Sequence, residues 1–165
     1  MIKELYEEYF NGLKITVMGL GVLGRGLGDT QFLAENGANL IVTDKKNKEY
    51  LASSLKLLEA YPSIVYHLGG HDKADFEKRD FILKAAGVPY DSEYVFHAKK
   101  NNVPVYMSAA LLADIVMKRL KGVTVIGITG TRGKSTVTQL VAHVLSTAGL
   151  RVFLAGNVRG VANLP

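Results

Sequence analysis

Two glycine-rich segments of this sequence have the residue types and spacing that bind phosphate. The first contains Gly19, Gly21 and Gly24, in the spacing G-x-G-x-x-G. The first glycine permits a tight turn, the second lets a phosphate approach the main chain, and the third lets a helix pack closely on a strand. The helix that follows would offer N–H groups and a positive dipole end to a diphosphate. Asp44, 20 residues after Gly24, is the acidic residue expected at the tip of the next strand.

The second segment, Thr129–Thr136, contains the sequence Gly133-Lys134-Ser135, with which P-loops end. In a P-loop the backbone N–H groups cradle the phosphates, the lysine reaches the β and γ oxygens, and the serine hydroxyl binds Mg²⁺. The strict pattern needs a glycine five residues before Gly133, and Ile128 stands there. A structural interpretation is also open for both segments: a glycine-rich βα turn for the first and a helix cap for the second.

The elements that would position these segments alternate between strand and helix. Apolar runs at 14–19 and 39–43, with a helical stretch to about Asn36 between them, predict a βαβ unit with parallel strands. Further helices are predicted at 49–60, 93–100, 109–120 and 137–148, and further strands at 64–68, 81–83, 103–107, 123–128 and 151–155. The sequence therefore predicts an α/β fold: a Rossmann-like parallel-sheet domain in residues 1–121, then the first βαβ part of a P-loop ATPase domain in residues 122–165.

The composition is that of an ordinary globular protein and excludes several classes of function. Hydrophobic residues make up 48% of the 165 and charged residues 21%, so disorder is not expected. The absence of cysteine excludes disulfides and thiolate metal sites, and it favours a reducing, cytoplasmic location. We expect no signal peptide and no membrane span. The net charge of +5 favours anionic ligands but is too small and scattered to indicate nucleic acid.

The second segment, with Gly127 and Ile128 before it, resembles the ATP loop of the Mur ligases, whose form T-G-T/S-x-G-K-S/T also lacks the strict first glycine. The unit around Gly19-Leu20-Gly21 is similar to the UDP-binding domain of the glutamate-adding members, and Ala155-Gly156-Asn157-Val158 resembles their G-N-I/V segment. The resemblance implies a cytoplasmic, monomeric enzyme that uses ATP and Mg²⁺. It would join D-glutamate to UDP-N-acetylmuramoyl-L-alanine in peptidoglycan precursor synthesis, through an acyl phosphate.

The resemblance also implies a role for individual residues. At the UDP-linked substrate it places Gly19, Gly21, Val22, Leu23 and Gly24 beside the diphosphate, Asp44 and Lys45 at the uracil, Gly87 in a neighbouring turn, and Asn157 near the muramoyl group. At ATP it places Gly130, Thr131, Arg132, Gly133, Lys134, Ser135 and Thr136, with Lys134 as the catalytic residue and Ser135 as the Mg²⁺ ligand. Two departures stand out: Leu23 replaces a common Ser or Thr, and Ala85-Ala86 replaces Ser/Asn-Pro.

Three other interpretations stay open. Another Mur-type ligase could add a different amino acid. The Gly19–Gly24 loop with Asp44 also suits NAD, so a nicotinamide-dependent oxidoreductase or an NAD-binding module is an alternative, although it leaves Thr129–Thr136 unexplained. About 45 residues follow the proposed boundary, which is short for a complete sheet domain. We therefore expect a partial second domain, and a chain that is inactive as a ligase or only binds nucleotides.

The remaining polar and aromatic residues receive structural interpretations. His67 and His71 are four residues apart, but Gly69-Gly70 lies between them, so we interpret both as ordinary loop residues. The acidic and basic residues that alternate over 72–80 predict a solvated face. Tyr6, Tyr9 and Phe10 are predicted to pack as a stripe on the first domain.

Overall fold

A parallel sheet with helices on both sides forms the core of this protein, in a computed structural model that describes residues 2–22 and 24–155. The strands are Lys14–Met18 (β1), Asn39–Asp44 (β2), Val65–Leu68 (β3), Phe81–Lys84 (β4) and Val105–Tyr106 (β5). The helices are Ile2–Phe10 (α1), Arg25–Glu35 (α2), Ala52–Leu57 (α3), Glu93–Lys100 (α4), Ser108–Arg119 (α5) and Lys134–Thr147 (α6), with a 3-10 turn at Lys73–Phe76. The five strands are parallel and lie in the order β3-β2-β1-β4-β5, which confirms the predicted fold class.

The strand order creates a switch point between β1 and β4. From β1 the chain runs outward to β2 and β3 on one side, then returns to β4 and β5 on the other. The loops that follow β1 and β4 therefore leave the sheet in opposite directions and open a crevice at its carboxyl edge. Ligands of open α/β sheets bind in such a crevice.

Alternating side chains bury both faces of the sheet, as a parallel sheet requires. Ile15 and Val17 of β1 point into the larger core layer, while Met18 points into a smaller layer with Ile82. The larger layer includes residues of α2 and α5, and the smaller one includes residues of α4 and the 3-10 turn. This pattern fixes which residues of each strand face the helices.

The aromatic residues of α1 dock on α2, which confirms the predicted packing stripe. Phe10 is fully buried, and its ring lies edge-on to Phe32 with the centroids 5.7 Å apart. Tyr6 contacts the same ring at 5.1 Å. Tyr9 is partly buried against the same layer and lies 4.9 Å from Phe10. None of the described helices is long and apolar enough to span a bilayer.

The strands predicted at 123–128 and 151–155 are wrong, because the described residues there adopt no strand conformation. Ile126 is 55% exposed and Phe153 is 72% exposed. A β-strand needs a neighbour for its N–H and C=O groups, and no strand pairs with these segments in the described part of the chain. The helix between them forms as α6. Smaller differences are a shorter α3 and a two-residue β5.

The segment over residues 72–80 departs from the predicted solvated face at Asp75, although Asp72, Lys73, Lys78 and Asp80 are exposed. Asp75 is only 3% exposed, and its carboxylate lies 2.7 Å from Nδ1 of His67, a residue of β3 and not of a loop. The Asp80 carboxylate accepts a hydrogen bond from the Lys14 N–H at 2.7 Å, and Arg79 donates to the Ile15 carbonyl at 3.0 Å. These polar groups satisfy the sheet's main chain and its flanking loop, which the charge pattern alone does not reveal.

Candidate nucleotide-binding site

The first glycine-rich loop joins β1 to α2 at the carboxyl edge of the sheet. Gly24 is the N-cap of α2, with φ of 91°, a left-handed conformation that residues with a side chain rarely adopt. No side chain caps this helix, and its first helical bond runs from the Gly28 N–H to the Gly24 carbonyl at 2.8 Å. The amides of Arg25 to Leu27 therefore have no partner within the helix and face the loop. A diphosphate is the kind of anion that such an end attracts.

The close packing of α2 expected at Gly24 occurs at Gly26, against the main chain of the loop that follows β1. A Cβ on Gly26 would lie 2.3 Å from the Leu20 carbonyl oxygen and 2.5 Å from that of Gly19, whereas a Cβ on Gly24 would meet nothing within 4 Å. A Cβ on Gly21 would also meet nothing within 4 Å, so the main chain there borders open space. The sequence offered one sign of the close approach at Gly26: this glycine lies in the first turn of a helix, where glycine is otherwise unfavourable.

Asp44 ties the end of β2 to this loop. Its Oδ2 accepts a hydrogen bond from the Gly21 N–H at 3.0 Å, and its Oδ1 accepts one from the Lys46 N–H at 2.9 Å. The Ser54 hydroxyl donates to the Gly21 carbonyl at 2.9 Å, so both main-chain groups of Gly21 are held. Each carboxylate oxygen keeps a second lone pair for a ligand donor. A diphosphate would bind the neighbouring amides or displace Asp44 from Gly21.

The turn after β4 forms the other wall of the crevice. Gly87 lies within it, between Ala85 and Val88, whose N–H donates to the Ala85 carbonyl at 3.1 Å. A Cβ on Gly19 would lie 2.9 Å from the Cβ of Ala85, so the two loops touch because position 19 lacks a side chain. The structure thus brings Gly19 against the turn that contains Gly87, and a role for Gly87 at a ligand stays a prediction.

Two residues beside the site were missed by sequence reasoning. Lys84, at the end of β4, is 3% exposed, and its ammonium donates to the Val88 carbonyl at 2.8 Å. Burial lowers the pKa of Lys84. His71 is partly buried and not an ordinary loop residue: its Nδ1 lies 2.7 Å from the Thr43 hydroxyl, and its ring lies edge-on to Tyr94 at 4.9 Å. The only sequence signal for Lys84 was its position as a lysine at the end of an apolar strand.

Burial and the charge of Lys45 shift the pKa of His71 in one direction, and two carboxylates shift it in the other. Burial lowers the pKa of His71 and is the largest cause, and the Lys45 ammonium lowers it further. The carboxylates of Asp44 and Asp75 oppose the shift. The exposed Lys45 therefore lies near His71 at the edge that Asp44 and Gly21 share. Val22, 44% exposed, borders the same edge, while Leu23 lies outside the described residues.

The second loop also starts a helix at a left-handed glycine. Gly133, with φ of 73°, is the N-cap of α6, and the Val137 N–H donates to its carbonyl at 2.9 Å. The amides of Lys134 to Thr136 therefore have no partner within the helix. The Lys134 ammonium folds back over the loop and donates to the Gly130 carbonyl at 2.6 Å.

The residues predicted at ATP are all exposed and contiguous. Thr131 and Arg132 lie in the loop, and Ser135 and Thr136 lie in the first turn of α6. The Ser135 hydroxyl suits Mg²⁺, which takes few protein oxygens and shares phosphate oxygens with its nucleotide. The described residues contain no group of three or more His, Asp or Glu side chains that could hold a metal by themselves. Asn157 lies outside the described residues.

Comparison with known proteins identifies similar sequences over most of the chain. Residues 13–107 match the family model of the Mur ligase MurD-like N-terminal domain. The chain is 36% identical over 148 residues to UDP-N-acetylmuramoylalanine--D-glutamate ligase of Geobacter metallireducens, and 37% identical over 153 residues to the protein of that name from Treponema pallidum. The alignments cover 90% and 88% of this chain, but only 31% and 27% of those relatives. The chain therefore spans about a third of their length.

A solved structure shares the fold at lower identity. Precorrin-2 dehydrogenase matches with a TM-score of 0.51 and 18% identity, over 84% of this chain and 67% of that one. At this identity the likeness shows the Rossmann-like architecture alone.

Proposed function

Because this chain belongs to the Mur ligase family, with a MurD-like N-terminal domain over residues 13–107, we propose that it binds the UDP-linked substrate of an ATP-dependent ligase and begins that enzyme's ATP site. The whole enzyme would join D-glutamate to UDP-N-acetylmuramoyl-L-alanine in peptidoglycan precursor synthesis. One observation carries the proposal. Both α2 and α6 begin at a left-handed glycine, Gly24 or Gly133, without a side-chain cap, so two separate sets of amides are left to bind phosphate.

The crevice between β1 and β4 would hold the UDP group. Its diphosphate would lie at the loop from Gly19 to Gly24, where the main chain borders open space at Gly21. Asp44 would accept a hydrogen bond from the uracil ring through its remaining lone pairs, with Lys45 beside it. Gly87 would line the opposite wall. The direct contact between Gly19 and the Ala85 side of that wall supports a single continuous site.

The loop from Gly130 to Thr136 would hold ATP. When bound, ATP with Mg²⁺ would supply the phosphoryl group that activates the substrate carboxylate as an acyl phosphate. The amine of D-glutamate would then attack the acyl carbon, form the amide bond and release inorganic phosphate. Lys134 would exchange its 2.6 Å bond to the Gly130 carbonyl for the phosphate oxygens and offset their negative charge. Ser135 would be the protein ligand of the metal. Positioning and charge neutralisation are the main tasks of a protein in phosphoryl transfer.

The exposed apolar side of α6 supports a domain boundary near residue 121. Leu140 is 60% exposed and Val144 is 56% exposed, although both belong to a 14-residue helix. A helix of this kind is normally covered on its apolar side. We assign residues 1–121 to the UDP-binding domain and 122–165 to the opening of an ATP-binding domain. The chain by itself would then bind nucleotides but would not catalyse the ligation. The whole enzyme would be cytoplasmic and monomeric.

Calorimetric titration separates this proposal from the oxidoreductase alternative. The chain would be titrated in turn with UDP-N-acetylmuramoyl-L-alanine, UDP and NADH. Binding of both uridine nucleotides, with no response to NADH, is the expected result. Tight binding of NADH without a response to UDP would instead favour a nicotinamide-dependent enzyme or an NAD-binding module. Assaying the full-length ligase with several amino acids then tests whether D-glutamate is the one added.

A further inference from the structure

Lys84 is a buried cation at the switch point of the sheet. It ends β4, directly before the turn Ala85–Val88, and is only 3% exposed. Its ammonium donates to the Val88 carbonyl at 2.8 Å and lies 3.5 Å from the Ala85 carbonyl oxygen. The ring of Tyr90 covers it, with the centroid 4.1 Å away. The ammonium therefore contacts both ends of the turn.

These contacts add to two other restraints on the turn: the Ala85 N–H donates to the Met18 carbonyl at 2.8 Å, and Val88 packs against the smaller core layer. The turn contains Gly87 and no proline, and its own main-chain bond is the one from the Val88 N–H to the Ala85 carbonyl. A buried ammonium is costly unless it is bonded, so the position of the Val88 carbonyl is coupled to that of Lys84. The bond adds a second connection, from the strand to the far end of the turn.

The turn touches the first glycine of the β1–α2 loop at two points. A Cβ on Gly19 would lie 2.9 Å from the Cβ of Ala85 and 3.7 Å from a methyl group of Val88. The spacing between the two walls of the crevice is thus set by where these two residues lie. A movement of the turn by a few tenths of an ångström would change the width of the crevice.

We propose that Lys84 is a positioning residue for nucleotide binding: it clamps the turn Ala85–Val88 against Gly19 and so sets the width of the crevice. This inference rests on the proposed function for the identity of the ligand, a uridine diphosphate compound. Lys84 acts through the turn, and no contact with the nucleotide itself is required.

The test compares Lys84→Met, Lys84→Arg and Lys99→Met in calorimetric titrations with UDP and with ATP. Methionine keeps the apolar stem and removes the donors, whereas arginine keeps the donors and the charge. Lys99 is the matched control, because its ammonium lies 5.5 Å from the same Tyr90 ring but it belongs to α4. We expect Lys84→Met to weaken UDP binding by about tenfold, the scale of a lost charged hydrogen bond, with ATP binding unchanged. Lys84→Arg should recover most of the affinity, and Lys99→Met should bind like the wild type.

Thermal stability distinguishes positioning from a purely structural role. Lys84→Met removes the desolvation cost of a buried ammonium, which offsets the loss of its hydrogen bond to Val88, so the variant should melt near the wild-type temperature while binding UDP more weakly. A lower melting temperature, with UDP affinity unchanged, would overturn the proposal. Equal loss of UDP and ATP binding would also overturn it.

Two further measurements test the clamp even if the Lys84→Met variant does not fold or the wild type binds no uridine nucleotide. In the wild-type protein, NMR should detect a hydrogen-bond coupling between the Lys84 ammonium nitrogen and the Val88 carbonyl carbon. A freely rotating, rapidly exchanging ammonium would contradict the clamp. Hydrogen exchange at the Val88 amide should accelerate in Lys84→Met relative to Lys99→Met. If the wild type binds no uridine nucleotide, the proposed function fails, but these two measurements still decide whether the clamp exists.

Discussion

Substituting Gly26 by alanine should destabilise the protein through one steric conflict. The new Cβ would lie 2.3 Å from the Leu20 carbonyl oxygen and 2.5 Å from that of Gly19. Carbon–oxygen contacts normally start at about 3.3 Å, so α2 and the β1–α2 loop must separate by about 1 Å. The conflict involves main-chain atoms on both sides, and side-chain rotation cannot relieve it.

The expected cost is a net loss of about 2 kcal/mol in the free energy of unfolding. Overpacking costs about 1–3 kcal/mol, and the rigid main-chain contact favours the upper end of that range. Alanine regains about 1 kcal/mol over glycine from its higher helix propensity. The matched control is Gly70→Ala, because a Cβ there meets nothing within 4 Å and the residue has no left-handed φ.

Urea unfolding followed by tyrosine fluorescence measures this loss. All eight tyrosines lie between residues 6 and 106, so the signal reports the sheet domain and not α6. The same displacement should weaken UDP binding, because it moves the amides at the start of α2. If both Gly26→Ala and Gly70→Ala unfold at the wild-type urea concentration, the close approach of α2 to the β1–α2 loop described above is incorrect.

Three further predictions concern the core, the pH response and the two loops. Phe10→Ala should lower the free energy of unfolding by about 3–5 kcal/mol in urea titrations, because Phe10 is fully buried. Leu57 is 63% exposed, so Leu57→Ala should cost under about 1 kcal/mol. Equal costs for the two variants would contradict the docking of α1. Burial lowers the pKa of His71 below its usual 6.5, so the unfolded state binds this proton more tightly than the folded state does. The free energy of unfolding should therefore fall as the pH drops below about 6.5, and His71→Gln should reduce this pH dependence. An unchanged pH dependence in His71→Gln would exclude His71 as its source. In the full-length enzyme, Lys134→Ala should weaken ATP binding and leave UDP binding unchanged, and Gly21→Val should do the reverse. The control Lys121→Ala, at an exposed residue, should leave the binding of both nucleotides unchanged. Equal loss of ATP and UDP binding in Lys134→Ala and in Gly21→Val would argue against two separate sites.

The sequence was sufficient to predict an element where neighbouring residues alone specify it. The alternation of Ile15, Thr16 and Val17, the glycines after them and the helix that follows specify the unit from β1 to β2 with little help from the rest of the chain. The same holds for α4, whose observed bounds equal the predicted ones.

Features that depend on distant partners were not predictable in this way. The apolar run at 123–128 favours a strand, but a strand forms only beside a neighbour that supplies hydrogen bonds. Asp75 lies in a charged stretch yet is buried: its carboxylate pairs with His67, and its main-chain carbonyl accepts a hydrogen bond from the Thr16 hydroxyl. Lys84 and Gly26 are explained by the turn and the carbonyls that they meet in space. The local signals, a lysine that ends an apolar strand and a glycine in the first turn of a helix, do not specify which atoms these residues contact.

The most direct test of the account is to map both nucleotides on the amide spectrum of the isotope-labelled chain. UDP-N-acetylmuramoyl-L-alanine should shift the amides from Gly19 to Leu27 and those around Gly87, and ATP with Mg²⁺ should shift only those from Gly130 to Thr136. Shifts of a single loop by both ligands, or a response of neither loop, would contradict the proposal that two helix starts bind two different nucleotides.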